Sequence, residues 1–197
     1  MRFADDSVIY VKSKRAGDRA MENVSRFIER RLKLKVNEAK SCVTQPGYSK
    51  FLGFGFTISK TNPKIRIHSQ SLARFRQRVR RLTVRTRGRN IGQVIAELNE
   101  YMRGWWGYFS LCETRSCLRD LNAWVIRRLR AYLWKQWKLP RTRVRELINR
   151  GIPEYWAVKV GTTRKGPWRL SANTTVAKSL PVGYFTRRLG LVLPGSR

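Results

Sequence analysis

The chain has 197 residues, 42% hydrophobic and 11% aromatic, which suffices for a packed core and excludes a disordered polyelectrolyte. It carries 43 Lys plus Arg against 12 Asp plus Glu, a formal net charge of +31, so the fold repels itself strongly and implies a polyanionic partner, nucleic acid first. No apolar run of about 18 residues is present to span a membrane, and Arg2, Asp5 and Asp6 break up any secretory leader. Cys42, Cys112 and Cys117 lack zinc spacing and are read as free thiols without disulfides, and a single histidine excludes a two-histidine catalyst or a His/Cys nuclease.

The charge is uneven. Residues 1–60 carry a net +7 and residues 61–197 a net +24, with the composition changing near Thr61–Pro63. The first part reads as α+β and the remainder as mostly helical. The apolar segments Phe3–Ala4 and Ser7–Val11 predict a β-hairpin with Asp5–Asp6 at its turn. From Asp18, the spacing of Ala20, Met21, Val24, Phe27, Ile28 and Leu32 predicts an amphipathic helix ending near Leu34. Segments 41–44, 51–58 and 64–68 predict short strands, separated by turns at Pro46–Gly47 and Asn62–Pro63.

Three longer helices follow. The first presents Leu72, Phe75, Val79 and Leu82 on one face and arginines elsewhere. The second, capped by Asn90, presents Ile91, Val94, Ile95, Leu98, Tyr101, Met102, Trp105 and Phe109. The third, capped by Thr114, presents Leu118, Leu121, Trp124, Val125, Leu129, Tyr132 and Leu133 and is stopped by Pro140. Packed together, the three make a bundle with a basic exterior. A short helix over 142–149 ends at Gly151, and the Gly/Pro-punctuated remainder reads as an irregular basic tail.

Two features carry chemistry. Adjacent carboxylates at a hairpin turn, Asp5 and Asp6, can hold Mg²⁺ through hard oxygen ligands, or serve as a solvated acidic turn. Eight arginines lie between Arg74 and Arg89 with no acid among them, a composition suited to RNA phosphates and bases. The candidate contacts there are Arg74, Arg78, Arg81, Arg85 and Arg87. On the next helices they are Arg103, Arg127 and Arg130, and in the tail Arg164, Lys165 and Arg169. Trp105, Trp124 and Phe109 fall on apolar stripes and read as core, whereas Trp106 and Tyr108 fall off the stripe and are candidate stacking platforms.

Several strings in order carry a resemblance. Phe3-Ala4-Asp5-Asp6 resembles the aromatic–Ala–Asp–Asp hairpin signature of reverse transcriptases. The string 34–41 (LKVNEAKS) is similar to the block after the palm helix of those enzymes, and Phe51-Leu52-Gly53-Phe54 to the next block, a primer-supporting hairpin. Leu98-Asn99, the string 103–109 (RGWWGYF) and Asp120-Leu121-Asn122-Ala123-Trp124 resemble the thumb, or maturase-specific domain, of bacterial group II intron reverse transcriptase/maturases. The string 165–171 (KGPWRLS) and Gly190-Leu191 resemble the tail of the same proteins, so the resemblance covers nearly the whole chain.

It implies an α+β fold with the second half of a reverse-transcriptase palm at 1–68, a helical thumb/maturase-specific domain at 69–139 and a basic tail at 140–197. It further implies RNA-directed DNA polymerase ancestry and Mg²⁺ on Asp5 and Asp6. Lys40 would act as proton donor near the incoming nucleotide, and residues 51–54 would support the primer. The implied partner is group II intron RNA, whose splicing the protein would assist, in the bacterial cytoplasm.

One departure qualifies this. The family places a third aspartate on an earlier strand, and the sequence begins four residues before the acidic pair. The expectation is that this chain does not polymerise DNA unaided, being truncated, or completed by a separately encoded N-terminal reverse-transcriptase fragment. A generic basic RNA- or DNA-binding protein of the ribosome-associated kind, or the relic of a decayed gene, are the alternatives.

Overall fold

The computed structural model describes residues 2–3, 6–59, 61–86 and 88–195. The chain divides into two compact units, Met1–Ser71 and Leu72–Arg197. The fold is α+β, with the strands confined to the first unit.

In the first unit, β1 (Arg2–Phe3) pairs antiparallel with β2 (Asp6–Ser7), Phe3 opposite Asp6. The predicted hairpin is present, but its second strand stops at Ser7 instead of reaching Val11. Asp6, expected at the turn, instead pairs within β2, while Ala4 and Asp5 lie outside the described residues. Helix α1 spans Lys14–Arg30, four residues earlier at each end than its apolar spacing predicts. Ser13 explains the start: its Oγ accepts from the Ala16 N–H at 3.2 Å and satisfies an otherwise orphaned donor. At the other end Lys33 turns to a φ of 54°, which no helix can carry through.

The predicted strand at 41–44 does not form. The Lys40 and Ser41 N–H groups turn back to the Asn37 carbonyl, at 3.1 and 3.0 Å, and close a local turn. The predicted strand 51–58 is also broken. Phe51 and Phe54 exchange backbone hydrogen bonds at 3.0 and 2.9 Å around Leu52 (φ 50°) and Gly53 (φ 80°). Two consecutive positive φ values are the signature of a type I′ turn, so only β3 (Phe54–Phe56) remains, antiparallel to β4 (Ile65–Ile67). Of the α1 residues only Gly17 is buried, and Val24, Phe27, Leu32 and Leu34 are exposed. The amphipathic face that the sequence draws so clearly is therefore left largely uncovered within this unit.

Helices α2 (Ser69–Leu82), α3 (Ile91–Phe109) and α4 (Arg115–Gln136) match the three predicted ones. Asn90 and Gln93 form a reciprocal capping box on α3: Asn90 Oδ1 accepts from the Gln93 N–H at 2.9 Å and Gln93 Oε1 from the Asn90 N–H at 3.2 Å. Pro140, expected to stop the third helix, instead begins α5 (Pro140–Ile148), because its fixed φ suits a first helical position; α4 has already ended at Gln136. Gly151 (φ 78°) closes α5, with its own N–H on Ile148 and that of Ile152 on Leu147, the paired bonds of a Schellman closure.

The region beyond Gly151 is not the irregular tail expected. It holds α6 (Glu154–Gly161), α7 (Pro167–Leu170), α8 (Thr174–Ser179) and a π-helical turn at Tyr184–Arg188. Pro167, part of the Gly/Pro punctuation read as irregular, begins α7, and Asn173 caps α8, its Oδ1 accepting from the Thr175 and Val176 N–H groups. These short pieces contribute Ala157, Leu170, Val176, Leu180, Phe185 and Leu191 to one core shared with Phe75, Leu98, Leu129 and Trp134.

Candidate nucleic-acid interface

Helix α2 sorts its side chains sharply. Phe75 and Val79 are fully buried and Leu82 nearly so, whereas Arg74, Arg78 and Arg81 are exposed. The three arginines recur at i, i+4 and i+7, the spacing of one helical face, and exposed Arg85 continues it past the helix end. No Asp or Glu occurs from residue 69 to 96. Three ion pairs join described residues, Arg26–Glu22, Arg89–Glu97 and Arg150–Glu146, and none draws on the α2 stripe. The stripe is therefore a row of solvated guanidinium groups with no acid paired to it among the described residues. Tyr101 of α3 lies near it: burial holds its hydroxyl above the ordinary pKa, while the Arg78 charge pulls the other way. Arg87 lies outside the described residues.

The other candidates part company. Arg103 is exposed on α3, and Arg164, Lys165 and Arg169 are exposed on α7 and the loop before it. Tyr108 is exposed, with its ring edge-on to Phe109 at 4.8 Å. Trp106 is half-buried, with its ring beside Gly195, where an added Cβ would stand 3.6 Å from Cζ2. Arg127 and Arg130 hold the protein together. The Arg127 guanidinium lies 4.2 Å from the Trp168 ring centroid and donates from Nε to Ser171 Oγ at 3.3 Å. Arg130 is half-buried and donates from Nε to the Leu180 carbonyl at 2.9 Å; burial lowers its pKa. Both fasten α4 to the C-terminal helices.

Sequence reasoning missed this use of arginine altogether. Arg128 donates to Thr83 Oγ1 and the Thr83 carbonyl, and Arg143 to the Trp137 and Lys138 carbonyls, each satisfying acceptors at a helix end. No sequence pattern marks such pairs, because all but one of these acceptors are backbone oxygens.

In the first unit, Asp6 is exposed on β2, and Lys40 is exposed just after the Asn37 turn. Phe51, Leu52, Gly53 and Phe54 form the type I′ turn described above. Asp5 lies outside the described residues. Among the described residues no group of three or more His, Cys, Asp or Glu side chains stands together. No helix among them is long and apolar enough to cross a membrane, and Cys42, Cys112 and Cys117 are free thiols.

Residues 72–151, from α2 to the Gly151 closure of α5, match the family model for the group II intron, maturase-specific domain. No curated protein matches the chain.

Proposed function

We propose, from the maturase-specific domain carried at residues 72–151, that this protein grips structured group II intron RNA and helps it reach its splicing-active fold. The observation that carries the proposal is the α2 stripe: Arg74, Arg78 and Arg81 on one helical face, Arg85 beyond it, and no acid from 69 to 96. Guanidinium forks pair with phosphate bidentately, and the buried opposite face of α2 holds them in a fixed row. Exposed Arg103, Arg164, Lys165 and Arg169 are further cations for the RNA, and Tyr108 offers an exposed ring for stacking.

RNA-directed DNA synthesis belongs to this proposal only conditionally. Asp5, Asp6 and Lys40 would contribute to it, with residues 51–54 beneath the primer, when a separately encoded reverse-transcriptase fragment supplies a further carboxylate and Mg²⁺ is bound. The proposed setting is the bacterial cytoplasm.

The test is a competition at moderate salt between folded group II intron RNA and duplex DNA of equal length. Preference for the intron supports the proposal. Equal binding of the two would replace it with a generic basic nucleic-acid binder.

A further inference from the structure

A second group of cations lies where α2 ends, and it shares Arg85 with the stripe. Arg80 of α2 and Arg128 of α4 both place their guanidinium carbons over one indole ring, 5.6 and 5.5 Å from the Trp124 centroid. Arg128 is fixed from behind. Its Nε donates to Thr83 Oγ1 at 2.7 Å and its Nη2 to the Thr83 and Arg80 carbonyls at 3.3 and 3.5 Å. Its Nη1 makes no hydrogen bond to a described residue. Arg85 is exposed, and after burial itself its charge and then that of Arg80 push the Arg128 pKa down. No ion pair reaches any of the three among the described residues.

Three like charges thus act on one another with no carboxylate paired to them among the described residues, two of them over one indole ring and one already ordered by hydrogen bonds. Convergent, pre-ordered guanidinium groups suit an oxyanion, because the ordering cost is met before binding. Three positive charges in one place exceed what a single phosphodiester offers. They match phosphates brought together where a nucleic-acid backbone turns sharply; a straight duplex spreads its phosphates along two lines.

We propose that Arg80, Arg85 and Arg128, backed by Trp124, form a phosphate cradle that takes the closely spaced phosphates of a sharply turned RNA backbone. The source of the phosphate rests on the RNA-binding reading above; the cradle itself does not. Free inorganic phosphate presents the same chemistry, and the experiment separates the two.

The full chain is compared with the double variant Arg80→Gln/Arg85→Gln, which leaves the Arg128 bonds to Thr83 in place. The first arm is thermal unfolding in phosphate against chloride at matched ionic strength. Phosphate is expected to raise the melting temperature of the parent more than that of the variant, and equal shifts would overturn the cradle. The second arm is binding to an RNA three-way junction and to a straight RNA duplex of equal length. The variant is expected to lose about tenfold or more on the junction and under about threefold on the duplex. Equal losses, or a cradle-dependent phosphate shift without junction selectivity, overturn the assignment to turned RNA. The double variant Arg74→Gln/Arg78→Gln is expected to weaken both RNAs alike. Should the parent bind neither RNA, the general RNA-binding reading fails, while the first arm still reports on the cradle.

Discussion

Phe185 tests whether the segment beyond Gly151 is part of the folded core. Its ring is fully buried, on a π-helical turn between α8 and the chain end, among side chains that include Leu180 and Leu191. Phe185→Ala removes the ring and leaves a cavity, which costs about 3–5 kcal/mol in a well-packed site. Against a typical domain stability of about 5–15 kcal/mol that is a large fraction. For a unit of this size it lowers the melting temperature by about 10 °C or more. All seven tryptophans lie between Trp105 and Trp168, so urea unfolding followed by tryptophan fluorescence reports on the second unit alone. Trp168→Ala serves as the comparison: the ring is 39% exposed and its best-defined contact is the Arg127 stack, so about 1 kcal/mol is expected. If Phe185→Ala costs under about 1 kcal/mol, the reasoning that places this segment in the core is wrong.

Two further perturbations follow from single contacts. Asn99 Nδ2 donates to the Gly190 carbonyl and its Oδ1 accepts from the Val192 N–H, both at 2.8 Å, so Asn99→Ala is expected to cost about 1–3 kcal/mol in the same unfolding assay, and Asn99→Asp, which keeps the acceptor, less. His68 has its pKa lowered from 6.5 by burial, then by the Lys50 and Arg66 charges. A depressed base favours the neutral folded form, so its contribution to stability is complete above pH 6.5 and declines as pH falls below it; an NMR titration in which His68 ionises above 6.5 would contradict this.

The long helices were legible because each repeats its apolar period over several turns. In α3 the stripe Val94, Ile95, Leu98, Met102 and Phe109 is buried as read, and the Asn90 cap marks its start. Helices α6, α7 and α8 have eight, four and six residues, too few for a period, and their Pro and Asn caps look like loop signals when no stripe follows. The turn at Leu52–Gly53 was hidden for a related reason: a leucine at positive φ carries no turn signal of its own.

The candidate site divides in the same way. Exposed arginines on the α2 face could be read from spacing, since burial of Phe75 and Val79 forces their neighbours outward. Arg127 and Arg130 could not be separated from them, because their partners are Trp168, Ser171 and the Leu180 carbonyl, some 40 to 50 residues away. The strings around Asn99, Asn122 and Gly190 acquire a shared physical sense only in three dimensions. Asn99 holds Gly190 and Val192, and Asn122 Nδ2 donates to the Pro194 carbonyl at 2.9 Å, so the two amides tie the chain end to α3 and α4.

The most direct measurement of the RNA grip is its salt dependence. Binding of folded intron RNA is measured between 50 and about 200 mM salt, the range over which phosphate contacts dominate, for the parent and for Arg74→Ala/Arg78→Ala/Arg81→Ala. With about eight phosphates neutralised, the parent log–log slope is expected near −6 to −7, and removing three contacts should make it shallower by about 2 to 3. A triple variant that folds normally and keeps the parent slope would show that the α2 stripe does not touch the RNA.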